Sequence, residues 1–327
     1  MNLPKLYPLR FNPYLKKVGW GGNKIASLKG LTTRELIGES WEVSGLEGYE
    51  TRVSEGELTG KTLSELISLY GKDLVGNTVF EIYGDRFPLL VKFIDARENL
   101  SVQVHPDEET ATVLSGGHGK HELCYIMEAN DDAKIYSGLN KTITPKELFD
   151  AATEGTIMDH LVVHDSESGN VYPIPAGRIH AFGGGNLIAE VQLSSDITFR
   201  IYDYNRPDTS GNLRTLHHKE AEKAIDFNVY DDYITYYDRS EQEVKIADHE
   251  WFVVTLVNIR DKSVSLPSHP GSFIILMGIE GTHEIVYPEG KTELKKGESL
   301  LIPASLNDIK ISGKGKILTA HIPNKLP

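Results

Sequence analysis

Three short stretches of this chain bring together residue types that hold metals and move protons. The first is Ser101-Val102-Gln103-Val104-His105-Pro106. Side chains alternate along a strand, so Ser101, Gln103 and His105 share one face. A polar triplet framed by Val102 and Val104 is either the solvent face of an ordinary antiparallel sheet or the lining of a polar cavity inside a barrel. The second stretch is Gly117-His118-Gly119-Lys120-His121-Glu122, which runs into the apolar segment Leu123 to Met127. If a strand starts at Lys120, Lys120 and Glu122 lie on one face, and the strand is expected to fold back as a hairpin against the first. The third is Pro175-Ala176-Gly177-Arg178-Ile179-His180. In Pro-x-Gly-x-x-His the proline fixes φ, and the glycine takes a conformation that a side chain forbids. The turn therefore delivers one histidine onto the next strand.

That third spacing resembles the second sequence motif of the cupins. The first cupin motif supplies His-x-His and then Glu; here Gln103-x-His105 and Glu122 take those places. The resulting ligand set is Gln103, His105, Glu122 and His180. Two imidazole nitrogens favour zinc, iron, copper or nickel, and the oxygens do not argue against zinc. Catalysis needs a further open position for water or substrate. The remaining histidines lack paired spacing; His217 and His218 are adjacent and would face opposite ways on a strand. Cys124 reads as a small core residue. A fourth stretch, Glu190 to Arg200, has alternate polar positions and ends in an arginine that can clamp a phosphate, stabilise an oxyanion or make a surface ion pair.

The elements that position these residues read mainly as β. Apolar, β-branched and aromatic runs, such as Phe87 to Ile94, Leu187 to Val191, Trp251 to Val257 and Ser272 to Met277, alternate with Gly, Pro, Asn and Asp clusters. That pattern predicts a barrel or sandwich. Helices are expected to be few and short. Thr62 with Glu65 and Thr144-Pro145 with Glu147 mark two helix starts, and 216–225 is a third helical stretch. Ile174-Pro175-Ala176 is echoed by Ile302-Pro303-Ala304, with Asp308 where the first copy has His180. The echo predicts two barrels of related design, the second without a metal site. The polar stretch 233–248 is the expected linker.

Composition narrows the function. The 327 residues carry a net charge of −13, with 39% hydrophobic and 25% charged residues. No basic cluster offsets that charge, which argues against a nucleic-acid partner. One cysteine permits neither an internal disulfide nor a cysteine-based zinc site. No secretory h-region and no apolar run near 18 residues is visible, so no membrane span and a cytoplasmic location are expected. Nothing in the sequence signals an oligomeric state.

The clusters together resemble the type I mannose-6-phosphate isomerases, in particular their short bacterial form. The resemblance lies in Trp20-Gly21-Gly22 and in four ordered blocks: Glu39 to Ser44, Leu89 to His105, Gly119 to Tyr125, and Pro175 to Arg206. It implies a mainly β fold of two cupin-like (jelly-roll) barrels with a few short helices. Residues 1–237 are then a catalytic metal-binding domain, and residues 238–327 a smaller domain without metal ligands. It implies one zinc ion per chain on Gln103, His105, Glu122 and His180, with an active site near Trp20, Lys92, Ser101, Lys120, Glu190 and Arg200. The implied reaction interconverts mannose 6-phosphate and fructose 6-phosphate through an enediol-type proton transfer. Lys120 and Glu190 are both candidates for the proton transfer. Arg200 would serve the enediolate or the phosphate, with Lys92 and Ser101 at the phosphate end and Trp20 in the substrate site. An iron-dependent cupin oxygenase and a non-catalytic sugar-binding cupin are the alternative readings; Gln103 in place of a third histidine weighs against the first.

Overall fold

The strand Leu89–Ala96 is buried along its whole length. Alternation sends Leu89, Val91 and Phe93 into one apolar cluster and Ile94 and Ala96 into another. Glu122–Ala129 and Asn186–Leu193 divide their side chains the same way. Strands with two buried faces must lie in a middle layer. The computed structural model, which describes residues 3–207, 211–260 and 263–324, places them there. They form an antiparallel six-stranded sheet in the order Val171–Ile174, Glu122–Ala129, Asn186–Leu193, Leu89–Ala96, Tyr14–Gly22, Ile37–Val43.

A five-stranded sheet, ordered Phe199–Tyr202, Val102–Val104, His180–Phe182, Lys134–Leu139, Leu161–Asp165, faces one side of it. Val102, Val104, Ala181 and Ile201 turn outward onto the helices Pro145–Glu154 and His218–Ala224. Against the other side of the six-stranded sheet lies a seven-stranded sheet. Its main path runs Glu243–Asp248, Val253–Ile259, Lys310–His321, Ile274–Tyr287, Gly290–Lys295. Val254, Phe273, Met277 and Leu318 of this part share one core cluster with Leu89, Val91, Tyr125 and Val191. A separate cluster of Leu276, Ile285, Leu300 and Ile311 fills the space within the C-terminal sheet.

The chain is mainly β with short helices, as the turn and strand pattern predicts. Thr62 and Thr144 both make reciprocal capping boxes, with Glu65 and Glu147. Two expectations, the hairpin and the linker, need correction. The Glu122 strand forms no hairpin with Val102–Val104; the helix Glu108–Ser115 carries the chain across to the opposite sheet. The five- and six-stranded sheets face each other as the layers of a jelly roll, within the expected barrel or sandwich, and share no hydrogen-bonded strand among the described residues. The 233–248 stretch is not all linker, because Glu243–Asp248 is the first strand of the C-terminal sheet. No helix among the described residues is long and apolar enough to cross a membrane.

Candidate metal centre and active-site cavity

Strand register sets the site. Gln103 pairs with His180 on one side and with Arg200 on the other, which places all three side chains on one face of the five-stranded sheet. On the facing sheet, Lys92 lies opposite both Glu190 and Trp41, and Glu122 lies opposite Gln192. His105 follows directly after the strand Val102–Val104.

His105 Nε2 stands 3.2 Å and His180 Nε2 3.6 Å from Glu122 Oε2. All three residues are buried, and they are the one metal-competent group of this kind among the described residues. His105 Nδ1 lies 2.9 Å from the carbonyl of Ile197, and His180 Nδ1 lies 2.9 Å from that of Arg178. A carbonyl only accepts, so each Nδ1 carries the hydrogen and each Nε2 presents a lone pair to Glu122. Glu122 Oε2 is itself buried and finds no hydrogen-bond partner. Three electron-rich atoms converging without a proton between them is the arrangement a divalent cation satisfies. Gln103 reaches the same point, its Nε2 donating to His180 Nε2 at 3.2 Å.

Electrostatics keeps these groups in ligating form. Burial, reinforced by His105, pushes His180 down to about 3. Burial also lowers His105, against the pull of Glu122. For Glu122, burial favours the neutral acid, but His105, Lys120 and His180 together hold the carboxyl well below its usual range. At neutral pH the set is therefore two neutral imidazoles and a carboxylate, which suits a borderline divalent ion.

Above this group opens a cavity of about 250 Å³. Trp20, Lys92, Ser101, Gln103, Lys120, Glu122, Glu190 and Arg200 all line it. His105 and His180 adjoin it through Glu122 and Gln103. The Lys120 ammonium donates to Glu122 Oε1 at 2.7 Å and sits 3.3 Å from His105 Nε2. Lys92 is buried between two carboxylates, Glu190 at 3.2 Å and Glu39 at 3.7 Å, and lies over the Trp41 ring. Burial raises Glu190, and Glu122 adds to this, while Lys92 opposes it. Arg200 is half-buried; its Nη1 donates to the Thr215 carbonyl at 2.8 Å, and its Nε is buried without a partner.

Reasoning from the sequence missed Glu39, Trp41, Lys16 and Arg214, which also line the cavity. Trp41 Nε1 donates to Glu39 at 2.7 Å, and Lys16 pairs with Glu39 at 3.1 Å. Burial would raise Glu39, but Lys16 and Lys92 bring it down to about 2. Glu39 and Trp41 share a face by alternation, but the pairing of their strand with Lys92 joins segments distant in sequence. A larger cavity, about 630 Å³, lies on the C-terminal sheet around His269 and His321. Those rings lie 4.2 Å apart, tilted by 33°, and no third metal-ligating group joins them among the described residues.

Comparison with known proteins agrees with this geometry. Residues 9–141 match the family model for the phosphomannose isomerase type I catalytic domain, and residues 242–322 match that for the mannose-6-phosphate isomerase cupin domain. The chain is 32% identical to a mannose-6-phosphate isomerase of Bacillus subtilis over 319 residues, covering 96% of this chain and 99% of that protein. It is 29% identical to the Streptococcus mutans mannose-6-phosphate isomerase over 323 residues, covering 96% and 98%. The crystal structure of the Bacillus subtilis mannose 6-phosphate isomerase superposes with a TM-score of 0.87 at 30% identity, covering 97% of this chain and all of that one. A Salmonella typhimurium phosphomannose isomerase shares the fold, with a TM-score of 0.80 at 16% identity. With full-length similarity of this extent, and with the metal-competent group and its cavity on the strands that the motifs predict, the chain belongs to the type I mannose-6-phosphate isomerase family.

Proposed function

We propose that this chain interconverts mannose 6-phosphate and fructose 6-phosphate, with one zinc ion per chain held by Gln103, His105, Glu122 and His180. The observation that carries the proposal is the convergence of His105 Nε2, His180 Nε2 and the unpartnered Glu122 Oε2 beside a cavity lined with acid, base and arginine groups. Gln103 would offer its amide oxygen after a rotation of the amide, since its oxygen and nitrogen have the same shape. A bound divalent ion would polarise the sugar's carbonyl and hydroxyl oxygens and stabilise the negative charge that develops as the C2 proton leaves.

The protein's own groups divide the remaining work. Glu190 takes the C2 proton and returns it at C1. Its Oε1 lies 3.2 Å from the Lys92 ammonium and is buried without a hydrogen-bond partner, while Oε2 accepts from the Cys124 thiol at 3.9 Å. Burial raises the proton affinity of Glu190, the direction that suits a group taking up a proton. Lys120, tied to Glu122, presents its ammonium to the substrate oxygen that gains charge, and remains the second candidate for moving the proton. Lys92 is engaged by two carboxylates, which favours a role in holding Glu190 over one in gripping phosphate. Arg200, with Ser101 beside Gln103, then serves the anionic parts of the substrate, and Trp20 walls the cavity. We read residues 1–237 as the catalytic domain and 238–327 as a smaller domain without metal ligands, in a cytoplasmic enzyme acting on a sugar phosphate.

The test is conversion of mannose 6-phosphate to fructose 6-phosphate before and after chelation, with zinc restored. Activity that disappears and returns with zinc supports the reading. Activity that survives complete demetallation overturns the role of the metal, and no activity in the zinc-loaded protein overturns the reaction.

A further inference from the structure

His121 stands between two residues of the site, Lys120 and Glu122, yet faces away from it. Neighbours on a strand point to opposite faces, and the His121 ring stacks on Trp251, with ring centroids 3.4 Å apart and planes 14° from parallel. Trp251 lies in the connection between Glu243–Asp248 and Val253–Ile259, the first two strands of the C-terminal sheet. The imidazole reaches further through its hydrogen bonds. His121 Nδ1 accepts the Ala176 N–H at 3.1 Å, in the turn that delivers His180. The next N–H in that turn, from Gly177, donates to the His105 carbonyl at 2.8 Å, and the Arg178 carbonyl accepts from His180 Nδ1 at 2.9 Å. The His121 carbonyl accepts the Leu193 N–H at 3.0 Å, one residue beyond the Glu122 partner Gln192. The His121 side chain therefore ties the turn before His180 to the start of the Glu122 strand, backbone bonds continue from that turn to His105, and a tryptophan from outside the metal-bearing sheets packs flat against the imidazole.

We propose that Trp251 and His121 are positioning residues for the metal centre. By stacking on His121, Trp251 holds the Ala176–Arg178 turn and the start of the Glu122 strand in register, so the C-terminal sheet, which supplies no metal ligand, sets how tightly the ion is held. The inference rests on the reading of His105, Glu122 and His180 as metal ligands. Groups that orient ligands without touching the ion contribute tenfold or more to metal affinity in known sites, on the order of 10- to 100-fold. Trp251 acts at one further remove, so the lower end of that range applies.

The test follows zinc release from the zinc-loaded, full-length protein to a chromogenic chelator, in wild type, Trp251→Ala, Trp251→Phe and His121→Phe. Trp251→Ala is expected to release zinc roughly tenfold faster. Trp251→Phe, which keeps an aromatic face, is expected to stay within about threefold of wild type, again scaled to that tenfold effect. His121→Phe keeps a ring but loses the acceptor for Ala176 N–H, and is expected to release zinc fast. Wild-type release from Trp251→Ala overturns the proposal, and so does equal acceleration in the Phe and Ala variants, which would mark general loosening. If Trp251→Ala does not fold, wild-type release from His121→Phe overturns it. A wild-type protein that binds no zinc instead overturns the ligand reading on which the proposal stands.

Discussion

Glu122 carries more of the site than any other single residue. Its Oε1 takes the Lys120 ammonium, and its buried Oε2 faces two imidazole nitrogens and finds no hydrogen-bond partner. A buried oxygen left in that state costs free energy unless a ligand compensates it. Arg200 presents the complementary case. Its Nε is a buried donor without an acceptor, and the side chain makes no ion pair within 4 Å among the described residues, although it faces the cavity. Replacing Arg200 by alanine is expected to lower kcat/KM by about 10²- to 10³-fold, the scale seen when a donor to a developing anion is removed. Metal content should stay at the wild-type level. Arg200→Lys should recover little of the loss, because a lysine cannot reproduce the planar fork. Steady-state kinetics paired with elemental analysis checks both points, and normal turnover in Arg200→Ala would remove the residue from the reaction.

At the scale of elements, the turn at 175–178 decides whether His180 arrives correctly. Gly177 sits at φ 86°, in the left-handed region, and an added Cβ would lie 3.2 Å from Asp226 Cβ and 3.3 Å from the Ala224 carbonyl oxygen. Both the backbone and the surroundings resist a side chain there. Gly177→Ala should destabilise the metal-free protein by about 1–2 kcal/mol, the usual cost of forcing an L-residue into that conformation. It should also weaken metal binding, because the Gly177 N–H holds the His105 carbonyl. Denaturant unfolding and metal titration of the variant measure the two effects. Unchanged values in both would show that the turn does not govern the site.

The whole molecule is layered, and its buried titratable groups give it a pH dependence. The six-stranded sheet packs one face on the metal-bearing cavity and the other on the C-terminal sheet. Burial lowers His180 to about 3, and lowers His121 and His321 to about 4. The unfolded chain, with histidines near 6.5, binds protons more readily than the folded one. Stability from these histidines is therefore complete above pH 6.5 and is lost as pH falls toward 4 and below. A fully buried histidine contributes up to about 1.4 kcal/mol per pH unit within that window. Glu190 and Asp95, both raised by burial, work in the opposite sense, while burial also lowers His105, His164, His217, His269 and His283. The Tm of the metal-free protein is expected to fall steadily between pH 6.5 and 4. A Tm that holds constant across that interval would show that the histidines are not kept neutral by folding.

The sequence by itself determined the features set by neighbours along the chain. Period-two alternation marks the strands, Thr62 with Glu65 and Thr144 with Glu147 mark the caps, and Pro175 with Gly177 marks the turn before His180. The motifs also made the family legible, because its spacings are local. Tertiary structure decided which strands meet. Gln103 and His180 are 77 residues apart in sequence, and no local rule states that they pair. The transfer of the Glu122 strand to the opposite sheet, the enclosure of Lys92 by Glu39 and Glu190, and the packing of Trp251 on His121 are of the same kind. Each depends on contacts between distant segments. Such contacts are selected by the burial of whole sheet faces rather than by the residues beside them.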